Sequence, residues 1–205
     1  MNPYEEINLS LNKASKYINT KDRSTRVLFG DGAAATIVEK IDGRGMIDVA
    51  FSSDGGSYDC FYIPAGGCRL PQSTSTTKEV KDSKGNVRTQ NDIYMDGLSV
   101  WAAINSKVPR QIKSLLQKNS ISINDIDHFF FHQASKMTLD SLIKVLKIDK
   151  DKVFINLTNK GNTVSASIPI AIKDALQEGV LQRGDLLLLS GFGVGMSYAT
   201  MLIEY

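Results

Sequence analysis

Phe129-Phe130-Phe131-His132-Gln133-Ala134-Ser135 is the stretch on which the fold of this chain turns. A short aromatic run of strand length ends on a histidine, and small and polar residues follow it. After Ser135, the apolar residues Met137, Leu139, Leu142, Ile143, Val145 and Leu146 recur at helical spacing. The reading is a strand over His128–Phe131 feeding a helix. Upstream, Val100, Ile104, Val108, Ile112, Leu115 and Leu116 mark a helix from Ser99 to Lys118, with Pro109 signalling a kink or break. Downstream, the pattern predicts a short strand Phe154–Leu157 and a helix Ser165–Gln177 closed by Gly179. A fully buried strand Leu186–Leu189, a glycine turn and an alternating strand Ser197–Tyr205 complete the chain. The order β-α-β-α-β-β predicts a layered α/β fold.

The first half reads differently. Ile7–Leu11, Arg26–Phe29, Ala34–Val38 and Met46–Phe51 have strand character, with the turn Gly30-Asp31-Gly32 between the second and third. A glycine-rich region surrounds a short strand Cys60–Ile63, and the polar residues 72–91 read as a mobile surface excursion. With 24 Lys+Arg against 22 Asp+Glu, a net charge of +2 spread along 205 residues argues against a basic nucleic-acid-binding face. No apolar run approaches the ~20 residues of a membrane span. The acidic opening Met1-Asn2-Pro3-Tyr4-Glu5-Glu6 has no apolar region behind it, so no signal peptide is expected. Cys60 and Cys68 are read as reduced thiols of a cytoplasmic protein.

Four segments place polar or glycine residues at strand ends, where open α/β sheets bind ligands. His132 is either a half-buried structural histidine or a group that exchanges or donates a proton. Asn162, in Gly161-Asn162-Thr163, is either a helix N-cap or an amide donor aimed into the same crevice. Gly191-Phe192-Gly193-Val194-Gly195 lacks a following helix, so a pyrophosphate site is a weak reading and a backbone oxyanion site an equally good one. Phe29-Gly30-Asp31-Gly32-Ala33 reads as a structural turn. No metal site and no cofactor is expected.

Taken in order, Phe131-His132-Gln133-Ala134, Gly161-Asn162-Thr163 with Ser165-Ala166-Ser167-Ile168-Pro169, and Gly191–Gly195 resemble the 3-oxoacyl-acyl-carrier-protein synthase III family. Asp22-Arg23-Ser24-Thr25 leading to Phe29–Ala33, and Met95-Asp96-Gly97 before the long helix, resemble it too. The resemblance implies a thiolase-like layered αβαβα fold, of which this chain holds one complete C-terminal half (43–205) and the last strands of the N-terminal half (1–42). It implies a Cys-His-Asn site in which a cysteine thiolate takes an acyl group from acyl-coenzyme A, and malonyl-acyl carrier protein is then decarboxylated and condensed with it. His132 and Asn162 match the His and Asn that hydrogen-bond the malonyl thioester carbonyl. Phe192, Gly193, Val194 and Gly195 match the pocket and oxyanion segment, with Val194 standing where the family has a glycine.

The departures shape the expectation. The family's nucleophile lies upstream of the matched region, and neither Cys60 nor Cys68 falls in its register. Ser135 replaces an asparagine, Met137 an arginine and Ala102 a basic residue; Lys107, Arg110, Lys113 and Lys136 are the candidates for meeting the acidic carrier or coenzyme A. The chain alone is therefore expected to be inactive, as the His/Asn part of a condensing enzyme working as a homodimer or with its missing N-terminal half. The alternatives are a non-catalytic subunit of a split heteromer and a carrier- or coenzyme A-binding protein without chemistry.

Overall fold

The computed structural model describes residues 6–40, 43 and 45–205. The opening read as lacking a signal peptide and the half-boundary at Asp42 lie outside these residues. Fourteen named elements follow in order among the described residues: β1 (Glu6–Asn12), β2 (Gly32–Val38), β3 (Met46–Ser53), β4 (Phe61–Tyr62), β5 (Val80–Lys81), β6 (Val87–Arg88), β7 (Tyr94–Met95), α1 (Gly97–Lys118), β8 (His128–Phe131), α2 (Lys136–Leu146), α3 (Leu157–Lys160), α4 (Ser167–Gln177), β9 (Leu186–Gly193) and β10 (Ser197–Glu204).

The central sheet has the order β3-β10-β9-β8, with β8 parallel to β9 and the other pairs antiparallel. The pleat sends alternate side chains of β8 to opposite faces. Phe129 and Phe131 join Ile112, Leu139, Leu142 and Leu188 in the core beneath α1 and α2. Phe130 points the other way, into a second cluster with Ala171 and Ala175 of α4. Beyond α4 lies the antiparallel pair β1-β2. The layers are thus α1/α2, sheet, α4, β1-β2: a thiolase-like α/β arrangement. The outer side of β1-β2 exposes Leu9 (70%), Leu11 (75%) and Ile37 (68%), an apolar face that soluble surfaces seldom leave uncovered. No helix among the described residues is long and apolar enough to cross a membrane.

Several expectations need correcting. Phe154–Leu157 is not a strand. Only Val153 bridges Phe129, and the Gln133 side chain takes over what a ladder would supply, accepting from the Asn156 N–H (3.2 Å) and donating to the Phe154 carbonyl (3.3 Å). Arg26–Phe29 is a turn that starts at the buried Asp22, whose carboxylate accepts from Ser24 and Thr25; only Phe29 makes a bridge, to Asn162. Residues 72–91 are a surface excursion that also carries the hairpin β5-β6. Arg88 Nε donates to Asp22 (2.6 Å), Lys21 pairs with Glu79 (2.7 Å), and the Asn86 side chain accepts from the Arg23 N–H. Desolvation alone would raise the Asp22 carboxyl, but Arg88 and the Ser24 and Thr25 donors outweigh it and hold it below the usual range. Pro109 does not end α1, which runs unbroken from Gly97 to Lys118 with its N-terminus capped by Asp96. Gly191–Gly193 belong to β9, and the turn is confined to Val194–Met196.

A close backbone crossing joins the first forty residues to the segment that carries Asn162. Gly30 donates its N–H to the Asn162 carbonyl (2.9 Å), and the Asn162 N–H donates to the Leu28 carbonyl (3.0 Å). A Cβ on Gly30 would sit 2.3 Å from the Lys160 carbonyl oxygen, so only glycine permits the approach. Gly30→Ala is expected to cost about 2 kcal/mol through forced backbone displacement, read as a lowered thermal midpoint; an unchanged midpoint would mean that the crossing yields freely.

Candidate functional site

The site forms where β8 ends. The His132 N–H still donates to the Ser190 carbonyl (2.9 Å), extending the parallel ladder by one residue before the chain leaves the sheet. The pleat places the His132 side chain on the α4 side, where Nδ1 lies 2.7 Å from Ser167 Oγ. The ring is buried and meets Phe192 edge-on, with centroids 5.4 Å apart. Gln133, itself buried, donates to the Phe131 carbonyl (2.9 Å) and so braces the strand end.

Asn162 arrives from the Gly30 crossing. Its Oδ1 accepts from the Val164 N–H (2.9 Å) and its Nδ2 donates to the Ala134 carbonyl (3.2 Å), leaving a second Nδ2 proton uncommitted by these bonds. The N-cap reading needs correcting: the oxygen bonds the first residue of the turn Val164–Ala166, but the cap position itself is Thr163, one residue on. Val164 has φ +49°, a region that a β-branched side chain visits only under constraint. The Asn162 bond to its N–H and the Ser167 bonds to its carbonyl supply that constraint.

Two adjoining cavities share Phe29, Phe61, His132, Asn162, Phe192 and Gly193. One, of about 180 Å³, is completed by residues including Ser167, Ile168 and Val194. The other, of about 220 Å³, extends past Met95, Val100 and Trp101 to Ser135 and Met137. His132 is the one ionisable side chain in either lining, and Asp, Glu, Lys, Arg and Cys are all absent from both. Burial holds the imidazole down to about 4, against a partial upward pull from the Val164 backbone, so the ring is neutral at neutral pH.

The structure thus gathers His132, Asn162, Phe192, Gly193 and Val194 in one place. Gly195 forms the adjacent turn (φ +76°) without lining either cavity. Val194 is not among the positive-φ residues, so its side chain is accommodated without backbone strain. Lys107 and Arg110 lie elsewhere: they line a separate cleft between α1 and β3, and Lys107 is paired with Asp54. Lys136 begins α2 beside the Ser135–Met137 mouth and pairs with Asp140. Asp31 accepts from Ser15, a turn role. Cys60 is half-buried and Cys68 exposed, and neither lines the His132 cavities. Sequence reading missed Gln133 and Ser167 as supports of the site, although Ser167 stood in a quoted motif; its helical distance from His132 carried no signal of contact.

Comparison with known proteins points to one family of synthases. The C-terminal model of 3-oxoacyl-[acyl-carrier-protein] synthase III matches residues 116–205, and the companion model of the same synthase matches residues 9–55. The beta-ketoacyl-[acyl-carrier-protein] synthase III of Caldanaerobacter subterraneus subsp. tengcongensis is 36% identical over 192 residues, covering 93% of this chain and 55% of the relative. That of Campylobacter fetus subsp. fetus is 36% identical over 193 residues, covering 94% and 56%. A crystal structure of a 3-oxoacyl-(acyl-carrier-protein) synthase III superposes with TM-score 0.96 at 37% identity, over 98% of this chain and 60% of that one. The synthase III of Aquifex aeolicus VF5 gives 0.80 at 27%, over 98% and 58%. The chain spans little more than half the length of these relatives.

The buried imidazole has a consequence for stability. Between about pH 6.5 and 4 the unfolded chain binds a proton at His132 that the folded chain refuses, so stability falls as pH falls through this window, by about 3 kcal/mol for a shift of this size. His132→Gln should flatten that stretch of the thermal-midpoint profile; an identical slope in the variant would place the His132 pKa near its ordinary value. With two models of this synthase matching residues 116–205 and 9–55, and with a solved synthase superposing over 98% of the chain, the chain belongs to the 3-oxoacyl-acyl-carrier-protein synthase III family.

Proposed function

We propose that the His132–Asn162 cavity is the decarboxylation and condensation part of a synthase III-type acyltransferase site, acting on a malonyl thioester carried by acyl carrier protein and an acyl group delivered from acyl-coenzyme A. The observation that carries the reading is the pairing of two neutral donor groups, the imidazole and the Asn162 amide, in an apolar enclosure with no other ionisable group. In the reaction, the bond between the malonyl α-carbon and its carboxylate breaks and carbon dioxide leaves. The electron pair passes to the α-carbon and is delocalised onto the thioester oxygen, where His132 and Asn162 donate hydrogen bonds to the growing charge. The α-carbon then attacks the acyl thioester carbonyl and the cysteine thiolate is expelled. Apolar walls such as Phe192 favour loss of the malonyl charge as carbon dioxide and strengthen both donors.

The thiolate comes from outside these 205 residues, on this reading, because neither Cys60 nor Cys68 lines the cavity. The exposed apolar side of β1-β2 is where the segment bearing it packs, whether in a longer polypeptide or on a partner chain. The chain by itself is then inactive in acyl transfer.

The test combines intact-mass analysis with complementation. Incubated alone with short and medium acyl-coenzyme A, the chain should gain no hydroxylamine-labile acyl mass. Joined to the N-terminal half of the Caldanaerobacter relative, it should become acylated and condense malonyl-carrier protein. His132→Ala or Asn162→Ala in the joined protein should lower the condensation kcat by roughly 100-fold or more while acylation persists. An adduct on the lone chain would make Cys60 or Cys68 the nucleophile, and condensation unaffected by either substitution would overturn the assignment.

A further inference from the structure

We propose that Ser167 is a positioning residue that sets the tautomer of His132, its hydroxyl donating to Nδ1 so that the ring proton stays on Nε2 and faces the cavity. The role rests on the donor function assigned to His132 above, and it is visible in the lone chain.

A neutral imidazole has one ring proton, and its location decides whether Nε2 presents a donor or a lone pair. The partner of Nδ1 is the Ser167 hydroxyl, at 2.7 Å. That hydroxyl has one proton and two acceptors within reach, His132 Nδ1 and the Val164 carbonyl at 2.8 Å. The Val164 carbonyl already accepts the Ser167 backbone N–H. An imidazole nitrogen is the stronger acceptor, and giving it the hydroxyl proton leaves no group unpaired. The Gln133 N–H meets the oxygen from its acceptor side at 3.4 Å. Ser167 is buried, so water does not compete for the arrangement.

The surroundings make the choice sensitive. The Val164 carbonyl, held by an unusual φ of +49°, faces the ring and favours a proton on the near nitrogen. Without the serine hydroxyl, this carbonyl draws the ring proton to Nδ1. Nε2 then turns a lone pair toward the oxygen on which enolate charge grows, and a stabilising contact becomes a repulsive one. Ser167 therefore decides the sign of the His132 contribution, although it lies behind the ring.

Long-range proton–nitrogen NMR on the uniformly ¹⁵N-labelled full chain at pH 7 reads this directly. The chain has only two histidines, and His128, 3.5 Å from Asp185, serves as the internal comparison. The wild type should show a protonated Nε2 and a bare Nδ1 for His132. Ser167→Ala should move the ring to the Nδ1–H form, or to a mixture dominated by it, while the backbone amide spectrum stays folded. Ser167→Thr, which keeps the hydroxyl, should retain the wild-type pattern. An Nδ1–H form in the wild type, or an unmoved Nε2–H form in Ser167→Ala, would overturn the proposal. Should Ser167→Ala fail to fold, the wild type and Ser167→Thr still decide, because the Nδ1–H form in either overturns it. No substrate takes part, so a failed condensation assay alongside the expected spectrum would count against the proposed reaction and not against the role of Ser167.

Discussion

The crossing of Gly30 over Gly161 is the contact on which the site depends. Two backbones approach so closely that the Gly30 N–H meets the Asn162 carbonyl at 2.9 Å, while Gly161, at φ +70°, turns the chain into the contact. Everything distinctive about Asn162 follows from it. The bridge to Phe29 fixes the asparagine backbone, Val164 N–H and the Ala134 carbonyl then hold its amide plane, and the remaining amine proton is directed by geometry rather than by a rotamer choice. The same crossing brings Phe29 into the cavity wall, stacked on Phe61 at 5.9 Å. Residues from the first forty positions thus complete a pocket whose chemistry belongs to the second half.

The sheet supplies the other coordinate. A parallel β8-β9 pair buried on both faces gives a rigid platform, and the three phenylalanines of β8 fill both sides of it before His132 emerges at the carboxyl end. Burial of the ring then has a double effect. It keeps the imidazole uncharged at neutral pH, and it sets the ring among apolar walls, where a hydrogen bond counts for more than in water. On the proposed reaction, a charged histidine would hold a malonyl carboxylate by ion pairing and oppose its departure, whereas a neutral donor would not.

Local pattern made much of this legible. The aromatic run and the helical period after Ser135 place His132 at a strand end, and the β8 boundaries His128–Phe131 agree with the structure. Helix α1 is readable in spite of Pro109, because six other buried positions, five of them apolar, outweigh one missing N–H. What was not legible depended on distant partners. Phe154–Leu157 has strand composition, but the Gln133 side chain occupies its polar backbone groups. Residues 72–91 look like mobile loop because their anchor, Asp22, lies 66 positions from Arg88. Lys107 and Arg110 line a cleft between α1 and β3, a placement set by the packing of α1 on the sheet and not by local pattern. Ser167 was in view as part of a motif, and only the fold reveals that it stands behind the ring.

The most direct test of the central claim is a crystal structure of the chain with a decarboxylation-resistant malonyl-pantetheine analogue. The account predicts the thioester carbonyl oxygen within about 3 Å of both His132 Nε2 and Asn162 Nδ2, with the carboxylate against the Phe192 wall. A ligand seated in the Lys107–Arg110 cleft, or in this cavity with its carbonyl turned away from both donors, would contradict it.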